Sequence, residues 1–127
     1  MESQKKFPPA FSFELFPPQT PQGVEKLRLT RKQLAQCNPK FFSVTFGAGG
    51  STRERTLETV LEIQAEGHVV APHLSCIGST RQNIRMILEK YYQAGIRHIV
   101  ALRGDLPSGM AQAGEFRYAS ELVAFIR

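Results

Sequence analysis

An α/β protein with a parallel sheet is predicted by two observations. Four short, continuously apolar runs recur at a nearly constant interval of about 30 residues, and the segments between them show the three-to-four spacing of amphipathic helices. Continuous apolarity marks strands covered on both faces, as in parallel sheets flanked by helices. Both an open doubly wound sheet and a closed (β/α)8 barrel fit this order of elements, and the interval alone does not separate them. A barrel needs eight such units and about 250 residues, so this chain of 127 residues supplies about four.

The first run, residues 10–16 (AFSFELF), leads into a helical stretch over roughly 21–36 with Val24, Leu27 and Leu34, the least regular of the four. The second, 41–46 (FFSVTF), is followed by Ser51-Thr52-Arg53-Glu54, a capping-box spacing, and by Leu57, Val60, Leu61 and Ile63 before Gly67 stops the helix. The third, 68–74 (HVVAPHL), precedes Ser79-Thr80-Arg81-Gln82, with Ile84, Ile87, Leu88 and Tyr91 at i, i+3, i+4 and i+7 and a stop at Gly95. The fourth is 98–102 (HIVAL). Ala119, Leu122, Val123 and Ile126 then open a fourth helix over 119–126.

Composition narrows the class. A chain 42% hydrophobic and 21% charged is neither disordered nor collagen-like. It holds no apolar run of ~18 residues to span a bilayer and no secretory signal at its start, so a cytoplasmic location with no membrane partner is expected. Cys37 and Cys76 lack CxxC or Cys/His spacing and read as free thiols, with no structural metal. The net charge of +5 is spread among interleaved acids, as in Thr52-Arg53-Glu54-Arg55, which argues against a nucleic-acid partner and suits anionic metabolites or cofactors.

Ligands of parallel α/β folds bind at the C-terminal ends of strands. Glu14 lies between Phe13 and Leu15, and a carboxylate in so apolar a setting is a candidate general acid; the alternative is a Glu on the solvated face of an edge strand. Gly47-Ala48-Gly49-Gly50 after the second run allows close backbone approach to a phosphate or flavin edge, or is simply a turn. It completes neither GxGxxG, whose third glycine would fall at Thr52, nor a P-loop, which needs a Lys. His73 sits at a strand end, as a ligand or as a hydrogen-bonded structural residue. Cys76 has no neighbouring base and reads as a buried thiol. After the fourth run, Arg103 can clamp an anion, Gly104 allows close approach, and Asp105 can accept hydrogen bonds from a heterocycle.

In order, Phe13-Glu14-Leu15-Phe16-Pro17-Pro18, Ser43-Val44-Thr45-Phe46-Gly47-Ala48, Ala71-Pro72-His73-Leu74-Ser75-Cys76 and the stretch from Gly95 to Asp105 resemble the methylenetetrahydrofolate reductase family, flavin-dependent (β/α)8 barrels of one-carbon metabolism. The resemblance implies that residues 1–127 are the N-terminal part of a single (β/α)8 catalytic domain of the bacterial type, covering the first four βα units. It implies an oxidoreductase in which NADH or NADPH reduces FAD and leaves, and reduced FAD passes hydride to 5,10-methylenetetrahydrofolate, giving the 5-methyltetrahydrofolate that serves methionine synthesis. Glu14 matches the general acid that opens the imidazolidine ring to a 5-iminium cation. Thr45, Phe46, Ala48, His73, Arg103, Gly104 and Asp105 match flavin-contacting positions. Thr45 also falls where the nicotinamide stacks, Asp105 matches an aspartate that holds the pterin, and Ala119 lies by the adenosine of FAD.

Gly49-Gly50-Ser51 is richer in glycine than some bacterial members, and strands five to eight of the family lie outside this sequence. Two alternatives stand beside the reductase. One is another flavin- or phosphate-binding barrel. The other is a non-catalytic half-barrel that self-associates, since an open four-stranded sheet leaves two edges and an apolar inner face uncovered. Homo-oligomerisation is expected.

Overall fold

A computed structural model describes residues 5–46, 50–105 and 114–127, the side chains of 50–52 excepted. Strands and helices alternate: β1 (Phe13–Leu15), α1 (Pro21–Ala35), β2 (Phe42–Val44), α2 (Gly50–Ala65), β3 (Val70–Ser75), α3 (Arg81–Gln93), β4 (Val100–Leu102) and α4 (Ala119–Ile126). The strands form one parallel sheet in the order β1-β2-β3-β4. Each run predicted as a strand overlaps one, and β3 extends one residue past its run, but the strands are shorter. Pro8 and Pro9 before β1 and Pro17 and Pro18 after it lack the N–H that would extend the ladder.

The helices begin and end on local chemistry. Thr20 caps α1, its hydroxyl accepting from Gly23 N at 3.0 Å, and Pro21 follows where a missing N–H costs nothing. Thr80 caps α3 by accepting from Asn83 N at 3.1 Å, one residue later than the predicted Ser79; Ser79 instead accepts from the Asn83 side chain. The capping box predicted at Ser51 lies outside the described side chains. Gly95 ends α3 at φ 89, a left-handed turn that lets Ile96 N reach back to Tyr91 O at 2.9 Å.

Alternation along the strands sorts their side chains to two faces. Phe13, Leu15, Phe42, Val44 and Val70 meet Leu27 and Leu34 of α1, Val60 and Ile63 of α2, and Tyr91 of α3 in one core cluster. Leu74 and Cys76 continue that face into a second cluster with Ile84, Phe116 and Leu122. Helices from all four units thus cover the same side. A doubly wound sheet, whose strand order reverses and whose helices cover both faces, does not match this order.

Outside the core, charge fastens α1 to α2. Arg31, only 2% exposed, donates to Glu66 at 2.9 Å and to Glu62 at 3.0 Å, and Arg28 reaches Glu62 from the surface. The two guanidiniums hold the Glu62 carboxyl below the usual carboxylate range, Arg28's hydrogen bond foremost. Their support is present above the ordinary Glu value and is lost as pH falls through the lowered one. Arg31→Ala, which leaves two facing carboxylates and a buried gap, is expected to lower unfolding free energy by about 2 kcal/mol in urea titration at pH 7. Arg28→Ala should change it little, and the Arg31→Ala deficit should shrink towards pH 3; a constant deficit would mean packing, not charge, holds the helices.

Candidate active site

Among the described residues every helix packs on one face of the sheet, and the opposite face carries the candidate residues. Register places Glu14 beside Ser43 and Ser43 beside Ala71, in one row across β1, β2 and β3. His73 stands two residues further along β3 on the same face, beside Val100 of β4. Glu14 is exposed, so the apolar setting inferred from its neighbours is corrected: Phe13 and Leu15 turn to the helix side, and β1 is an edge strand. Ser43 and Ala71 are buried, at 5% and 3% exposure, and they are small. The middle of the face is therefore built of small side chains.

His73 is 8% exposed. Burial pushes its imidazole below the ordinary 6.5, while the Glu14 carboxylate pulls the other way. A neutral ring keeps one donor and one acceptor nitrogen for a ligand. Thr45, just past β2, is fixed through its backbone: its N–H donates to Leu15 O at 3.0 Å and its carbonyl accepts from the Thr56 hydroxyl at 2.9 Å. The Phe46 ring faces away, packed on the second core cluster under the Arg53 guanidinium at 5.3 Å from its centroid, so only its backbone could reach a ligand on the open face. Ala48 lies outside the described residues.

Past β4, Arg103 and Asp105 are exposed, with Gly104 at φ 82 between them. Ala119 begins α4, half-buried, in the helix layer rather than on the open face. The structure therefore gathers Glu14, Thr45 and His73 on one face, sets Arg103, Gly104 and Asp105 at its rim, and keeps the Phe46 ring and Ala119 off it. Cys76 is buried among Leu74, Ile84 and Leu122, and burial pushes its thiol up, which suits packing and not nucleophilic attack. Among the described residues no group of three His, Cys, Asp or Glu could hold a metal ion, and no helix is long and apolar enough to cross a membrane.

Sequence reasoning gave no role to Thr56 or Ser75. Thr56 is fully buried on the α2 stripe shared with Val60 and Ile63, so a polar residue at the i position of an apolar i, i+4, i+7 series was the signal. Ser75 left none, because its importance depends on which strand lies beside it.

With the folded-state value of His73 lowered, the unfolded chain binds a proton that the folded chain refuses. Its contribution is present above pH 6.5 and declines as pH falls through that value toward the folded one. His73→Gln is expected to flatten the fall in urea midpoint between pH 7.5 and 5.5; parallel curves for both proteins would contradict the burial argument.

The methylenetetrahydrofolate reductase family model matches residues 1–127. The 5,10-methylenetetrahydrofolate reductases of Salmonella typhimurium and Escherichia coli are each 44% identical over 117 residues, 91% of this chain and 39% of theirs. A relative from Arabidopsis thaliana, methylenetetrahydrofolate reductase (NADH) 1, is 41% identical over 123 residues, 93% of this chain and 21% of its own length. The chain thus spans about two fifths of the length of the bacterial relatives. Matched by the family model along its whole length, the chain belongs to the methylenetetrahydrofolate reductase family.

Proposed function

We propose that this chain supplies the proton donor and part of the flavin platform of a methylenetetrahydrofolate reductase, with its four strands as the first four staves of a (β/α)8 barrel. Strand order β1-β2-β3-β4 with every helix on one side supports the barrel, because right-handed crossovers taken in one direction curl a sheet towards closure. The observation that carries the functional reading is the bare face itself: Glu14, Ser43, Ala71 and His73 side by side, with no helix over them.

FAD is the cofactor this reading requires, and the residues present fit it. Ser43 and Ala71 leave a low surface on which a flat ring system can rest, and neutral His73 offers a hydrogen-bonding edge. Thr45 and the Phe46 backbone would line that edge, and Arg103 at the rim would face the pyrophosphate with Ala119 towards the adenosine. When bound, FAD accepts hydride from NADH or NADPH and delivers it to 5,10-methylenetetrahydrofolate. NADH is the donor named for the Arabidopsis thaliana relative.

The chain's own work is proton supply and orientation. Glu14, exposed on the face, is reachable by a folate laid over the flavin and can protonate an imidazolidine nitrogen, opening the ring for hydride transfer. Asp105 holds the pterin by accepting from its N–H groups, and Thr45 orders the nicotinamide when it occupies the same space. The reading includes a cytoplasmic location, in keeping with Cys37 and Cys76 as free thiols. It also includes assembly with further copies, in keeping with the exposed Phe7, Phe11 and Phe16.

In the enzyme assayed by half-reactions, Glu14→Gln is expected to leave flavin reduction by NADH within about twofold. It should slow folate reduction by about 10²-fold or more. Equal losses in the two halves would remove Glu14 from the acid's role.

A further inference from the structure

We infer that Ser75 is a positioning residue that aims the Arg103-Gly104-Asp105 segment, an inference that rests on the functional reading above. Beyond Leu102 the chain has left the sheet, so the direction in which Arg103 and Asp105 point depends on what still holds their backbone. Three short hydrogen bonds do so from the end of β3, beside a long one from the Cys76 thiol to Arg103 O at 3.9 Å. Cys76 N donates to Leu102 O at 3.1 Å and Ile77 N donates to Arg103 O at 2.9 Å, both available to any residue with an N–H. The third comes from a side chain: the Ser75 hydroxyl donates to the same Arg103 carbonyl at 2.9 Å.

A carbonyl oxygen has two lone pairs. One donor fixes where that oxygen lies; two donors from different directions also fix the tilt of the peptide plane joining Arg103 to Gly104. The next residue shows the same fit from the other side. Gly104 turns at φ 82, and a Cβ there would stand 2.2 Å from the Ser75 hydroxyl and 2.8 Å from Ile77 Cγ2. The hydroxyl thus occupies the space that glycine leaves free, and the pair sets both the turn and the exit direction of Asp105. Packing alone does not require a hydroxyl here: Ser75 is half-buried on the open face, and an Ala would keep the strand. Its effect is transmitted to the ligand-facing groups, as pre-organisation of a site by its supporting shell requires.

The test is FAD titration of the enzyme, followed by flavin fluorescence, with thermal midpoints measured in parallel. Ser75→Ala is expected to weaken FAD binding about tenfold with a midpoint close to the unmodified protein, and Ser75→Thr, which restores the hydroxyl, should recover most of the affinity. Gly104→Ala should weaken binding more, and the double variant should lose less than the two single losses combined, because the 2.2 Å collision disappears with the hydroxyl. Affinity of Ser75→Ala within twofold of the unmodified enzyme, failure of Ser75→Thr to recover it, or strictly additive losses would each overturn the inference. An unmodified enzyme that binds no FAD would instead overturn the functional reading on which it rests.

Discussion

Pairing Phe13 with Phe42 and Phe42 with Val70 in parallel register commits every other side chain of the sheet. With a side-chain period of two, those pairings send Leu15 and Val44 under the helices and turn Glu14, Ser43 and Ala71 outward in one row. A slip of one residue would put an ionisable carboxylate beneath α1 and expose Leu15 and Val44. Exposing two such side chains costs about 1.5–3 kcal/mol each, and burying an unpaired carboxylate costs several more. The register that builds the core is therefore the register that builds the site. No separate device is needed to bring Glu14 and His73 to the same face.

What the register leaves open is how the strand ends are held, and there the molecule relies on polar bonds to backbone. The Thr45 carbonyl is tied to α2 through Thr56, and the Arg103 carbonyl is tied to β3 through Ser75 and Ile77. The chain returning to α4 is tied in turn to α3, Glu115 accepting from Arg81 N and pairing its own N–H with Ser79 O at 3.1 Å. The Thr45 tie holds a loop within the β2–α2 unit, and the Arg103 and Glu115 ties hold theirs to the preceding unit. Glycine matters at Gly114 for the same reason: a Cβ there would lie 2.7 Å from the Ser79 backbone.

Much of this was legible in the sequence. The apolar runs and the helical stripes located all eight elements, and α4 matches its predicted span, because burial imposes the period that the residues display. Gly67 and Gly95 ended their helices as read. The surroundings of Glu14 were not legible. Its apolar sequence neighbours suggested an apolar pocket, yet alternation sends those neighbours to the opposite face, so adjacency in a strand is the wrong guide to environment. The direction of the Phe46 ring was not legible either, since only the packed structure shows it under Arg53. Strand order, which favours a singly wound sheet, is a long-range property that equal spacing cannot encode.

The central claim is that the helix-free face, not the clefts between helices, receives the flavin. FAD titration followed by amide and methyl chemical shifts tests it most directly. The account predicts that the largest changes fall on Ser43, Thr45, Ala71, His73 and Gly104, with Leu34 and Ile63 in the helix-side core unmoved. Shifts centred instead on the α2–α3 cleft lined by Arg53, Met86 and Lys90 would contradict it.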